Sequence, residues 1–122
     1  MTITDQLPAE TQTHSERGPC YRERPHFRWR PDVQTIEFFG DLDSGNAVFG
    51  RACIRRALQV GVGPLALEMS QVDFIDAAWL GVVVGAWRYA GTVDRSLSVS
   101  NPSYRVKRVL DMMGLSRLLE GT

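Results

Sequence analysis

The sequence predicts an α/β fold, and three observations carry that prediction. Short runs with apolar residues at every second position alternate with longer stretches whose apolar residues recur every three or four positions. Glycine and proline punctuate the joins. The chain has 122 residues, the size of one ordinary domain. Strands that alternate with helices of this length require crossover connections, and the right-handed crossover rule leaves few topologies.

Residues 1–25 are polar and irregular, with three prolines and almost no large apolar side chains, so they offer little to offset the entropy of ordering. They are expected to form a flexible tail, with the folded domain spanning 26–122. The charge of this part of the chain is uneven: Asp5 and Glu10 come first, and Arg17, Arg22, Arg24, Arg28 and Arg30 follow against Glu16 and Glu23.

From His26 the pattern turns to β-like runs. HFRWR and VQTIEFF flank the turn pair Pro31-Asp32, and Ile36 and Phe38 alternate with Glu37, which reads as a hairpin with one buried face. Gly40-Asp41-Leu42-Asp43 ends the second strand. Between Ser44 and Gly61 the residues Ala47, Gly50, Ile54, Ala57 and Leu58 recur at helical spacing, with Arg51, Arg55 and Arg56 mostly off the stripe. Gly63-Pro64 breaks this amphipathic helix, and PLALEM follows as a strand with Leu65, Leu67 and Met69 on one side.

Asp76 stands where an N-cap is needed for a second helix carrying Leu80, Val83, Val84 and Trp87 at core spacing. Ala77, Gly81 and Gly85 form a stripe poor in side chains, expected to let this helix lie close to its neighbour. RSLSVS gives another strand. Asn101 and Pro102 are expected as N-cap and first residue of a last helix, with Val106, Val109, Leu110 and Met113 inward and Gly114 as the C-terminal cap.

Several function classes are disfavoured. Fourteen Lys and Arg balance fourteen Asp and Glu, which argues against a dedicated nucleic-acid or anionic-membrane binder. The longest apolar stretches fall far short of the ~20 residues of a membrane span, and no secretory signal is visible, so a soluble, cytoplasmic protein is expected. No His, Ser, Cys or carboxylate constellation has motif spacing for catalysis, and no cofactor or metal is expected. Cys20 and Cys53 exclude a disulfide framework; as a pair they are a redox candidate, although an inert half-buried thiol at Cys53 and a mobile one at Cys20 are favoured.

GDLD after a strand, then LEMSQVDFIDAAWLGVVVGAWRYAG, then NPSYRVKRVLDMMGLSRLLE, resemble the STAS domain shared by bacterial anti-sigma factor antagonists and the tails of sulphate transporters. The resemblance runs from about Val33 to Leu119 and implies a single domain with a four- to five-stranded mixed sheet and crossover helices. It also implies a non-catalytic, partner-binding module of transcription regulation. Antagonists of this family bind an anti-sigma factor that is also a serine kinase and are released when a serine at the start of the second helix is phosphorylated.

The family pattern there resembles Asp-Ser-Ser-Gly-Leu-Gly, whereas this chain reads Asp76-Ala77-Ala78-Trp79-Leu80-Gly81. The acceptor serine falls on Ala78, which has no oxygen to modify. The resemblance thus implies a binding surface formed by Asp41, Asp43, Ser44, Asp76, Ala77, Ala78, Trp79, Leu80 and Gly81, working without the phosphorylation switch. Trp79 replaces a glycine, so its indole is expected at least partly at the surface near Asp43, where tryptophan often anchors a partner. An anti-sigma factor or serine-kinase-type regulator is the expected partner, self-association is left open, and the alternative is an accessory subunit of a transporter ATPase or other assembly.

Overall fold

The computed structural model describes residues 26–120. Strand β1 (Phe27–Arg30) turns through a 3₁₀ turn at Pro31–Val33 into β2 (Thr35–Leu42). Helix α1 (Ala47–Val60), strand β3 (Leu65–Ile75), helix α2 (Ala77–Thr92), strand β4 (Leu97–Ser100) and helix α3 (Tyr104–Met112) follow, and Ser116–Glu120 closes the order as a second 3₁₀ turn. The four described strands form one mixed sheet in the order β1-β2-β3-β4, antiparallel between β1 and β2 and parallel thereafter.

The hairpin forms where Pro31 fixes φ and Gln34 takes the left-handed conformation (φ 47°), its amide donating to the Pro31 carbonyl. Alternation then sorts the side chains. Ile36, Phe38, Leu65, Leu67, Met69, Leu97 and Val99 lie buried on one face, while Glu37, Glu68, Ser98 and Ser100 on the other are half-buried. On that open face Glu37 pairs with Arg28 (3.7 Å) and Arg30 (3.2 Å). All three helices contribute to the single core under the apolar face: Ile54, Ala57 and Leu58 from α1, Leu80, Val83 and Ala86 from α2, Val106 and Leu110 from α3.

One buried cation organises the far end of α1. Arg95 is 8% exposed, and its guanidinium donates to the carbonyls of Ala57, Leu58, Val62 and Gly63 and to Gln34 Oε1, at 2.7–3.2 Å. Two of those carbonyls belong to the last turn of the helix, where Ala57 also accepts from the Gly61 amide (3.2 Å) and carbonyls run short of intrahelical donors. Desolvation lowers the Arg95 pKa from its ordinary value, and the five acceptors offset that cost.

Several elements differ from the sequence expectation. Helix α1 starts at Ala47 rather than Ser44, because Ser44 and Gly45 are used in a turn. Strand β3 runs from Leu65 to Ile75, well past the PLALEM segment expected as the strand. Helix α3 begins at Tyr104 with Ser103 as its N-cap: Asn101 sits at φ 46°, which turns the chain before Pro102, and Ser103 Oγ then accepts from the Val106 amide. Met113 lies past the helix end and is 60% exposed instead of inward, Val109 and Val84 are half-buried, and Gly114 (φ +72°) ends the helix as expected.

Cys53 also departs from its expected half-buried position. Residues 50, 53, 54, 57 and 58 make one continuous helical stripe, so Cys53 falls inside it and is fully buried. Cys20 and the expected tail, residues 1–25, lie outside the described residues. No described helix is long and apolar enough to cross a membrane.

Candidate functional site

Parallel pairing decides which loops meet. In the β2/β3 ladder Leu42 is opposite Ile75, so both strands end at the same edge of the sheet and the loops that lead into α1 and α2 emerge side by side. A backbone bond from the Asp76 amide to the Leu42 carbonyl (3.1 Å) fixes the two exits together. Gly40 sits at φ +75°, and the ladder shifts register between Gly40 and Asp41, where β3 carries Asp73 as an extra residue just before the two exits.

Asp76 then serves both loops. One carboxylate oxygen accepts from the Trp79 amide (3.0 Å) as the N-cap of α2, and the other accepts from the Ser44 amide (3.0 Å) across the gap. Asp43 Oδ1 accepts from the Gly45 amide (2.9 Å), closing the turn. Asp41, Ser44, Ala77 and Ala78 are exposed around this junction and Asp43 is half-buried. Six of the residues expected at the surface, Asp41, Asp43, Ser44, Asp76, Ala77 and Ala78, are therefore brought together, and Gly81 is exposed one turn further along α2.

Trp79 and Leu80 are not part of that surface. The Trp79 indole is fully buried and Leu80 is 9% exposed, which overturns the expectation of an indole at the surface near Asp43. The physical reason is Gly50. A Cβ placed there would lie 2.0 Å from the far end of the indole, so the missing side chain on α1 is the slot that the ring occupies. Phe27 and Phe38 close the slot with tilted and edge-on contacts to the indole at 5.7 and 5.5 Å between centroids.

The buried indole N–H finds its partner in Asn46, a residue the sequence reading passed over. Asn46 is the N-cap position of α1 but makes no side-chain cap bond. Instead its Oδ1 accepts from Trp79 Nε1 (2.6 Å) and from the Asp43 amide (3.2 Å), while Nδ2 donates to the Asp41 carbonyl (2.9 Å). Asn46 thus ties the Asp41–Asp43 loop to α2 from below, as Asp76 does from above. The signal was an asparagine directly before a helix, whose amide can donate and accept at once.

The stripe Ala77, Gly81, Gly85 also faces the other way from expectation. All three residues are exposed, and a Cβ built on Gly81 or Gly85 meets nothing within 4 Å. Helix α2 approaches α1 through Trp79 against Gly50, so the close contact that was expected of the α2 stripe is made by a glycine of α1.

A family model for the STAS domain matches residues 24–121. The chain belongs to the STAS domain family. The STAS fold seen here is shared with the anti-sigma factor antagonist SpoIIAA in its unphosphorylated form, at 28% identity and a TM-score of 0.66 over 75% of this chain and 84% of that one. The Bacillus cell fate determinant SpoIIAA in its phosphorylated form matches at 27% identity and a TM-score of 0.60, over 75% of this chain and 86% of that one. A putative anti-sigma factor antagonist from Thermotoga maritima, 23% identical with a TM-score of 0.62 over 76% and 80% of the two chains, shows the same fold. The expected single α/β domain with a mixed sheet is what this STAS domain has, with four strands among the described residues.

Proposed function

We propose that this STAS domain is a non-catalytic regulatory module that binds an anti-sigma factor, or a related serine-kinase-type regulator, through the surface formed by Asp41, Asp43, Ser44, Asp76, Ala77, Ala78 and Gly81. The observation that carries the reading is the position of Ala77 and Ala78. They are exposed at the N-terminus of α2, beside a loop held in place by the Ser44–Asp76 bond, on a fold similar to an antagonist known in phosphorylated and unphosphorylated forms.

A phosphate at that point would add about −1.5 to −2 charges at a helix N-terminus and change how the surface meets its partner. Alanine offers no oxygen for it, so the module works in the cytoplasm as a binder without this switch. Asp76 and Asn46 hold the loop and the helix start in one arrangement without a modification.

Co-purification from the native cell followed by mass spectrometry tests the reading. An anti-sigma factor or a kinase of that type supports it, and a membrane-complex ATPase assigns the surface to an accessory subunit instead. Incubated with the recovered kinase and ATP, the wild-type protein should take up no phosphate, whereas Ala78→Ser should. Stoichiometric phosphate on Ser44 or Ser70 that releases the partner would overturn the proposal that no serine switch operates.

A further inference from the structure

Helices α1 and α2 together carry Arg51, Arg55, Arg56 and Arg88 and no Asp or Glu, in a chain whose overall charge is zero. The ionised side chains of these two helices are therefore all cationic, balanced by carboxylates elsewhere. Between the two helices lies an open groove of about 270 Å³, lined by Arg51 and Arg55 from α1 and by Ala78, Gly81 and Gly85 among the residues of α2. No carboxylate lines it, and neither Arg51 nor Arg55 makes an ion pair among the described residues.

Arg55 is held in position. Its guanidinium sits 4.2 Å over the Tyr89 ring, whose hydroxyl accepts from Gln59 Nε2 at 3.2 Å. Arg51 stands one turn earlier on the same helix, so the two cations follow the groove at the spacing of a helical turn. Gly81 and Gly85 make no contact inside the domain that would demand glycine, since a Cβ at either meets nothing. A glycine within a helix weakens it relative to alanine, so two of them facing outward lower α2 stability without serving the packing of this chain. Bare helix backbone beside paired arginines is a surface that another backbone can approach closely while its carboxylates reach the guanidinium groups.

We propose that the α1–α2 groove binds an acidic segment of a partner protein, with Arg51 and Arg55 pairing its carboxylates and Gly81 and Gly85 receiving its backbone. A nucleic acid fits less well, because a groove of this size takes a few side chains and the chain carries no net positive charge to displace counterions. The proposal goes beyond the surface at the Asp41–Asp43 loop, with which the groove shares Ala78 and Gly81, and its test uses neither an anti-sigma factor nor a kinase, so failure of the peptide to bind overturns the groove proposal alone.

The probe is a synthetic 16-residue peptide of four Glu-Ala-Ala-Leu repeats, titrated into the full-length isotopically labelled protein and followed by NMR. The amides of Ala78, Gly81 and Gly85 should shift, and affinity should fall as salt is raised. Arg51→Glu with Arg55→Glu should weaken binding by about tenfold or more. Lys107→Glu, an exposed change on α3, should leave it within about twofold. Gly81→Ala with Gly85→Ala should raise the melting temperature while weakening the peptide, a combination that a purely structural role for these glycines would not produce.

The proposal is overturned if the peptide does not bind, if Lys107→Glu weakens it as much as the arginine changes, or if a 16-nucleotide DNA or a phosphatidylglycerol vesicle binds the same amides more tightly. Stronger peptide binding on replacing Asp5, Glu10 and Glu16 by alanine would also overturn it, by assigning the groove to the chain's own acidic residues.

Discussion

Gly50 and Trp79 should behave as one unit in a double-mutant cycle. Gly50→Ala places a methyl group 2.0 Å from the indole and 2.2 Å from its neighbouring ring carbon, closer than real carbon atoms approach. The ring cannot swing away, because Phe27 and Phe38 wall it in and Asn46 holds its N–H. Overpacking a rigid core costs about 1–3 kcal/mol or somewhat more, and alanine returns up to about 1 kcal/mol of helix propensity, so Gly50→Ala alone should destabilise by about 2 kcal/mol.

Trp79→Leu removes the obstructing ring and should itself cost about 3 kcal/mol, from the lost packing and the vacated volume. In that background the added methyl fills empty space, and Gly50→Ala should become neutral or stabilising by up to about 1 kcal/mol. The change of sign amounts to a coupling of about 2–3 kcal/mol, read from urea denaturation followed by far-ultraviolet circular dichroism of the four proteins. If Gly50→Ala destabilised both backgrounds equally, the slot would not be what holds the indole. Trp79→Ala is expected to cost about 3–5 kcal/mol, the scale of a core residue.

Arg95→Met should destabilise by about 2–4 kcal/mol in the same assay, since it removes the guanidinium donor from the Leu58, Val62 and Gly63 carbonyls and leaves Ala57 only the Gly61 amide. Asp76→Ala should cost about 1–2 kcal/mol through the lost α2 cap and the freed Ser44 amide, and hydrogen exchange should rise at Ser44 as well as Trp79. Asn46→Ala strands the buried indole N–H and should cost about 1–3 kcal/mol, while Asn46→Asp, which keeps the acceptor, should cost less. Ala78→Ser, at an exposed position, should change stability by no more than about 0.5 kcal/mol.

Local periodicity and turn chemistry determined most of the fold. The alternation around Ile36 and Phe38, the three- and four-residue recurrence from Ala47 to Leu58, the Asp76 cap and the Gly114 stop are set by neighbours within a turn or two, and all four stand in the structure. The residues resembling the STAS pattern likewise placed Asp41, Asp43, Ser44, Asp76, Ala77 and Ala78 at one edge, because parallel pairing of β2 and β3 brings their exits together. What sequence periods leave open is which residue fills which gap between two helices. Glycine at 50 and glycine at 81 look alike along the chain, yet one is a slot for an indole and the other is bare backbone toward solvent. That difference exists only once α1 and α2 are packed, when the volume of Trp79 needs a vacancy on the facing helix and its N–H needs the oxygen of Asn46.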